Sequence, residues 1–171
     1  MTDKALIIIP TYNEIENIKL IVEAVLSQND QYHILVIDDG SPDGTANAVR
    51  SLQQHYQERL TLIERPQKSG LGTAYIRGFK YGIEHQYDYI IEMDADFSHD
   101  PSKIPSLIAA CQAGADVAVG SRYIKGGGIV DWPIDRLVLS YGASLFVRAI
   151  TWMPVKDTTA VRFRSYSKVN V

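Results

Sequence analysis

The chain has 171 residues, 46% of them hydrophobic, with a net charge of -3, a balance that fits one soluble globular domain with a sizeable core and suggests no nucleic-acid partner. A single cysteine, Cys111, excludes an intrachain disulfide and any cysteine metal cluster. The longest uncharged stretch, Leu137 to Val147, falls short of the ~20 residues a spanning helix needs, and no cleavable leader is recognisable before Pro10, so a cytoplasmic chain is expected.

Ala5 to Ile9 reads as a first strand, and it runs into Pro10-Thr11-Tyr12-Asn13-Glu14. Ile18, Ile21, Val22, Val25 and Leu26 then recur at helical spacing, and Ile34 to Ile37 forms a second strand. Behind it stand acids and turn formers, Asp38-Asp39-Gly40-Ser41-Pro42-Asp43-Gly44-Thr45. Ala48, Val49 and Leu52 mark another helix, and Leu60 to Ile63 a third strand. Arg65, Lys68 and the glycines around Leu71 make a basic loop that either covers phosphates or is simply solvated. Tyr89 to Met93 is the fourth strand and Asp116 to Val119 the fifth; Cys111, ending an apolar run from Leu107, reads as a buried packing residue. Lys125 to Gly128 reads as a mobile loop, and Pro133 opens a last helix running to about Thr151. Strands alternating with amphipathic helices predict an α/β fold, a mainly parallel sheet with helices on both faces.

In such a sheet ligands bind beyond the carboxyl ends of the strands, so the residues that follow each strand carry the chemistry. Most informative is Glu92-Met93-Asp94-Ala95-Asp96. In extended backbone, positions i and i+2 share a side, so Asp94 and Asp96 face one point and suit a hard divalent cation, Mg2+ or Mn2+, that still has sites open for phosphate oxygens. The plainer alternative is that Asp96 and Asp100 only start the next helix, since Asp100-Pro101 is a good cap. Asp39 and Glu14 suit the hydroxyls and amides of a nucleotide, and Tyr12 offers either a ring face for its base or mere packing. Arg136 and Ser140, four apart on the last helix, share a face and with Arg122 form either a phosphate seat or surface ion pairs with Asp131 and Asp135. No dinucleotide fingerprint or phosphate-binding P-loop occurs; Gly70-Leu71-Gly72 follows a loop and has Tyr75 where a third glycine belongs. His99 reads as a capping or packing residue, and no nucleophile and base pair can be assembled from the loops.

Pro10-Thr11-Tyr12-Asn13-Glu14, Asp38 to Thr45, Gly70-Leu71-Gly72-Thr73-Ala74, Asp94-Ala95-Asp96 and Gly120-Ser121-Arg122-Tyr123, in that order, resemble the family 2 glycosyltransferases. With Trp132-Pro133, Arg136 and Ser140 added, the chain resembles more narrowly the polyprenol-phosphate (dolichol-phosphate) mannosyltransferases, from Pro10 to about Thr159. The resemblance implies a GT-A fold in a single domain, 1–171. It also implies an inverting transferase that moves a hexose, mannose from GDP-mannose, onto a polyprenyl phosphate. Carried over by position, Pro10, Tyr12, Glu14, Ile37 and Asp39 hold the nucleotide, with Asp94, Ala95 and Asp96 on the donor. Asp94 and Asp96 take the Mg2+ or Mn2+, joined by Ser98 through water where many relatives have glutamine. Arg122, Arg136 and Ser140 hold the lipid phosphate and, with Asp96, form the catalytic set. The alternatives are a glycan or glycolipid acceptor, or a catalytically impaired nucleotide-sugar binding module. After Asp157-Thr158-Thr159 the family pattern of Gly-Phe-Arg gives way to Ala160-Val161-Arg162-Phe163-Arg164, so a truncated or altered product after about residue 160 is expected. The last helix carries more apolar surface than one core-facing stripe needs, which points to peripheral contact with the cytoplasmic face of a membrane or to burial against the sheet or a partner.

Overall fold

A computed structural model describes residues 3–120, 142, 146, 150 and 164–167. Its centre is a six-stranded sheet: β1 (Ala5–Thr11), β2 (Tyr32–Asp38), β3 (Leu60–Glu64), β4 (Tyr89–Glu92), β5 (Val117–Val119) and β6 (Arg164–Ser167), in the order β3-β2-β1-β4-β6-β5. Strands β1 to β4 are parallel, and β6 runs antiparallel to both β4 and β5. Four helices, α1 (Ile18–Leu26), α2 (Thr45–Tyr56), α3 (Leu71–Glu84) and α4 (Ile104–Gln112), cover the two faces.

β1 is apolar without alternation because both of its faces are covered, as a central parallel strand requires. Ile7 and Ile9 join one cluster with Ile18, Val22 and Val25 of α1, Val49 of α2 and Ile104 and Ile108 of α4. Leu6 and Ile8 point the other way, into a cluster with Leu35, Ile37, Ile90 and Ala74 and Tyr75 of α3. Helices on both faces and a mainly parallel sheet are therefore as expected. β1 runs two residues past Ile9 because Pro10 and Thr11 stay in register with Ile37 and Asp38.

The α3 face is packed unusually close. A Cβ placed on Gly78 would lie 2.6 Å from Ile8 Cδ1, and one on Gly82 would lie 2.6 Å from Ile90 Cδ1. The two glycines are four apart, so a helical stripe without side chains lies directly on β1 and β4.

One strand was not foreseen. The divergent stretch after residue 160 contributes β6, which enters the sheet between β4 and β5, with Arg164 in register with Glu92 and Val119. Ser165 is buried toward α4, where Cys111 Sγ approaches its carbonyl oxygen at 3.6 Å, and Tyr166 packs edge-on to Phe79 of α3, ring centroids 5.0 Å apart. Arg164 thus stands at the carboxyl-end rim of β4. Cys111 is buried, as read from its apolar run. Among the described residues no helix is long and apolar enough to cross a membrane. Phe146 and Ile150 are helical and exposed. The loop Lys125 to Gly128, Trp132-Pro133 and the rest of the expected last helix lie outside the described residues.

Candidate functional site

The strand order reverses at β1: β2 and β3 extend the sheet to one side, β4, β6 and β5 to the other. The loops leaving β1, β2 and β4 diverge there and open a crevice, the place where open α/β sheets take ligands. A cleft of about 290 Å³ occupies it, lined by Pro10 and Thr11 at the end of β1, Tyr12 and Glu14 after it, Asp39 after β2, Lys68 and Leu71 before and in α3, and Asp94, Ala95 and Asp96 after β4.

The β1 and β2 loops are stapled together by short polar side chains. Asp38, 1% exposed, accepts from Thr11 Oγ1 at 2.8 Å, from Ser41 N–H at 2.9 Å and from Ser41 Oγ at 2.5 Å. Ser41 Oγ and Thr45 Oγ1 accept in turn from the backbone N–H groups of Asn13 and Glu14, each at 3.0 Å. Asp43 accepts from the Thr45 backbone and hydroxyl and from the N–H of Ile15. Burial works against ionisation of Asp43, but these bonds outweigh it and hold its carboxyl below the ordinary range. Of the two neighbouring aspartates, Asp38 is thus committed to the loop scaffold and Asp39 reaches the cleft.

Asp39 is itself held. Its Oδ1 accepts from Arg65 Nε, and its Oδ2 from Ser69 N–H at 3.3 Å. Arg65 also donates to Thr73 Oγ1 at 2.6 Å and to the carbonyl of Gly70 at 3.1 Å, so its guanidinium braces the start of α3. Of the two basic residues in that loop, Arg65 is enclosed and only Lys68 lines the cleft. Lys68 Nζ sits 4.3 Å from the centroid of the Tyr12 ring, a cation–π contact that covers one ring face.

Asp94 and Asp96 both line the cleft, but the backbone that brings them there is not extended. β4 ends at Glu92, the chain bends from Ala95 onward, and Phe97 has φ 58°. Asp94 Oδ1 accepts from Tyr75 Oη at 3.2 Å, while the Asp94 N–H donates to His99 Nδ1 at 3.1 Å. His99 Nδ1 also lies 4.0 Å from Asp94 Oδ2, beyond hydrogen-bond reach. Asp96 Oδ1 accepts from Ser98 N–H at 2.9 Å and from Ser98 Oγ at 2.5 Å. Burial alone would raise the Asp96 carboxyl, but the two bonds from Ser98 outweigh it and keep it below the usual range, ionised at neutral pH. The expected cap at Asp100 is present too, accepting from Ser102 N–H at 2.9 Å.

Two carboxyl side chains in one cleft are hard oxygen donors of the kind that would hold a small divalent cation together with phosphate oxygens of a ligand. Among the described residues no group of three or more His, Cys, Asp or Glu side chains is gathered for a metal, so no all-protein cage is built. Ser98 is hydrogen-bonded directly to Asp96 and orients it.

Of the residues expected at the site, Pro10, Tyr12, Glu14, Asp39, Asp94, Ala95 and Asp96 come together at the cleft. Ile37 does not: its side chain is fully buried beneath α3, with no surface to offer a ligand. Arg122, Arg136 and Ser140 lie outside the described residues. Sequence reasoning missed Thr11, Ser41 and Thr45 as the staples of the loops, and Tyr75 as the partner of Asp94. For Tyr75 the available signal was its place one turn into the helix that follows Gly70-Leu71-Gly72.

The sequence profile of Glycosyl transferase family 2 matches residues 6–169. A polyprenol monophosphomannose synthase from Mycolicibacterium smegmatis is 46% identical over 167 residues, 98% of this chain and 63% of the relative. An undecaprenyl-phosphate mannosyltransferase from Micrococcus luteus is 40% identical over 163 residues, 95% of this chain and 66% of the relative. The chain therefore spans about two thirds of the length of these relatives or slightly less. The crystal structure of glucosyl-3-phosphoglycerate synthase from Mycobacterium tuberculosis with Mn2+, UDP-glucose and phosphoglyceric acid superposes with a TM-score of 0.64 at 17% identity, covering 96% of this chain and 57% of that one. That likeness is one of fold, the GT-A arrangement of a mostly parallel sheet with helices.

Proposed function

This chain belongs to glycosyltransferase family 2, and on that premise we propose that it carries the donor site of an inverting transferase. The reaction moves mannose from GDP-mannose to a polyprenyl phosphate at the cytoplasmic face of a membrane, within one domain spanning residues 1–171. The observation that carries this reading is the convergence of Tyr12 and Glu14, Asp39, and Asp94 and Asp96 from three separate strand ends on one cleft. The names of the two relatives support mannose as the sugar and a polyprenyl phosphate as the acceptor.

In this reading Glu14 and Asp39 accept hydrogen bonds from the nucleoside, and the ring of Tyr12 lies against the base once Lys68 swings off it toward the diphosphate. Asp94 and Asp96 hold a Mg2+ or Mn2+ whose chemistry is to neutralise charge gathering on the leaving diphosphate. Ser98 keeps Asp96 ionised and aimed. Arg122, Arg136 and Ser140 seat the acceptor phosphate, as the family resemblance implies. An oxygen of that phosphate attacks C1 of the sugar from the face opposite the nucleotide; the new C1–O bond forms as the bond to the β-phosphate breaks, and GDP departs. The nucleophile is already an anion at neutral pH, so no side chain needs to take a proton, and alignment with charge stabilisation carries the rate.

The test is to incubate the chain with GDP-mannose, Mn2+ and a short polyprenyl phosphate and follow lipid-linked mannose, with calorimetry of donor binding in the absence of acceptor. Product formation and a metal-dependent donor affinity that Asp96→Asn abolishes are expected. An unchanged metal-dependent affinity in that variant would overturn the role of Asp96, and transfer to glycans but not to polyprenyl phosphate would overturn the acceptor.

A further inference from the structure

We infer that Tyr75 is a positioning residue for the metal site, its phenol fixing Asp94 in the orientation in which the other carboxylate oxygen is presented to a cation. The inference rests on the reading of Asp94 as a metal ligand. It adds a residue that the loops after β1, β2 and β4 do not supply, since Tyr75 comes from α3.

The geometry is specific. Tyr75 is 5% exposed, within the apolar cluster formed by Leu6, Ile8, Leu35 and Ile37, and its hydroxyl emerges from that cluster to meet Asp94 Oδ1 at 3.2 Å. The phenol donates to Oδ1 alone, so the bond fixes the carboxyl's orientation while Oδ2 takes no part in it and can be presented to the cleft. Without it, a side chain that follows the end of β4 and is 27% exposed could rotate about its own bonds. The hydrogen bond to His99 comes from the Asp94 backbone N–H and does not itself fix the carboxyl's torsions.

The reach of the phenol depends on how low α3 lies. Gly78 and Gly82 have no room for a methyl group over Ile8 and Ile90, and this close seat brings the first turns of α3 down to the level of the strand ends. Partners that orient a metal ligand commonly change affinity about 10–100-fold when removed. Tyr75→Phe keeps the ring and its packing and removes only the hydroxyl.

The experiment is a Mn2+ titration in the presence of GDP, with free Mn2+ read by electron paramagnetic resonance, for the unaltered chain, Tyr75→Phe and Asp94→Asn. GDP affinity without metal is measured alongside. Tyr75→Phe is expected to weaken Mn2+ about 10-fold or more while metal-free GDP affinity stays unchanged. A merely structural role would lower both together, and that result overturns the inference. If Asp94→Asn weakens Mn2+ but Tyr75→Phe does not, the inference alone falls; if Asp94→Asn leaves Mn2+ unchanged, the reading of Asp94 as a ligand falls with it. Should Tyr75→Phe fail to melt cooperatively, Asp94→Glu provides a second arm. It keeps the charge but carries the carboxylate off the phenol, and the same loss of Mn2+ affinity is expected; full retention overturns the inference.

Discussion

Replacing Gly78 by alanine should destabilise the protein, although the same change in a helix normally does the opposite. A methyl group at Gly78 would lie 2.6, 2.7 and 2.9 Å from Cδ1, Cγ2 and Cγ1 of Ile8, a side chain with no exposed surface in the central strand. Carbon atoms prefer separations of about 3.5–4.0 Å, so either α3 lifts or β1 yields by the better part of an ångström. Overpacking of this kind costs about 1–3 kcal/mol, against a gain of about 0.5–1 kcal/mol from replacing a helical glycine. The net loss is centred on about 1 kcal/mol and spans about 0–2.5 kcal/mol. Gly72, also in α3, has nothing within 4 Å of its would-be Cβ, so Gly72→Ala isolates the propensity term and should be neutral or stabilising by about 0.5 kcal/mol. Urea unfolding read at the midpoint, with slopes checked for equality, compares the two. If both variants shift the midpoint in the same direction, the close seat of α3 on β1 is not what sets the response.

The remaining expectations can be checked in the same preparations. Arg65→Met removes the partner of a nearly enclosed Asp39 and should destabilise by about 3 kcal/mol, since the carboxylate is left without its cation; a change below about 1 kcal/mol would mean that solvent replaces the pair. Asp38→Ala leaves Thr11 Oγ1 and both Ser41 donors without their acceptor, so lower stability and weaker nucleotide binding should appear together, by unfolding and by calorimetry. Asp43 has its folded pKa depressed below the ordinary aspartate value of about 3.9, so its contribution is present above that pH and is lost as pH falls through the folded value. The stability gap between the protein and Asp43→Asn should therefore close on acidification below about pH 4; a gap that widens would reverse the assignment.

Much of this site was legible because its residues follow strands that are legible themselves. The unbroken apolar runs of β1 and β2 mark central strands, and Tyr12, Glu14, Asp39, Asp94 and Asp96 then stand where the sheet has to end. Tertiary packing decides the rest. Asp94 and Asp96 reach the cleft through a bend, because pairing of β4 with β1 stops at Glu92. Ile37 precedes the acids in sequence yet points under α3, which only the pleat of β2 determines. Tyr75 meets Asp94 across a gap of 19 residues that no local pattern spans. β6, with the sequence Arg-Ser-Tyr-Ser, lacks the alternation that marks a strand; its pairing is imposed by the open edges of β4 and β5 on either side.

The interposition of β6 also has a consequence for how the chain is assembled. Among the described residues β5 borders no strand except β6, which pairs with β4 across a separation of more than 70 residues. During synthesis β1 to β4 can zip together as each emerges, but β5, joined among the described residues to the rest of the fold through α4, must wait for its strand partner until residues 164–167 leave the ribosome and fill the gap. The latest-made of the described strands is thus the keystone of that half of the sheet, and shielding its vacant slot from other chains becomes a problem of timing.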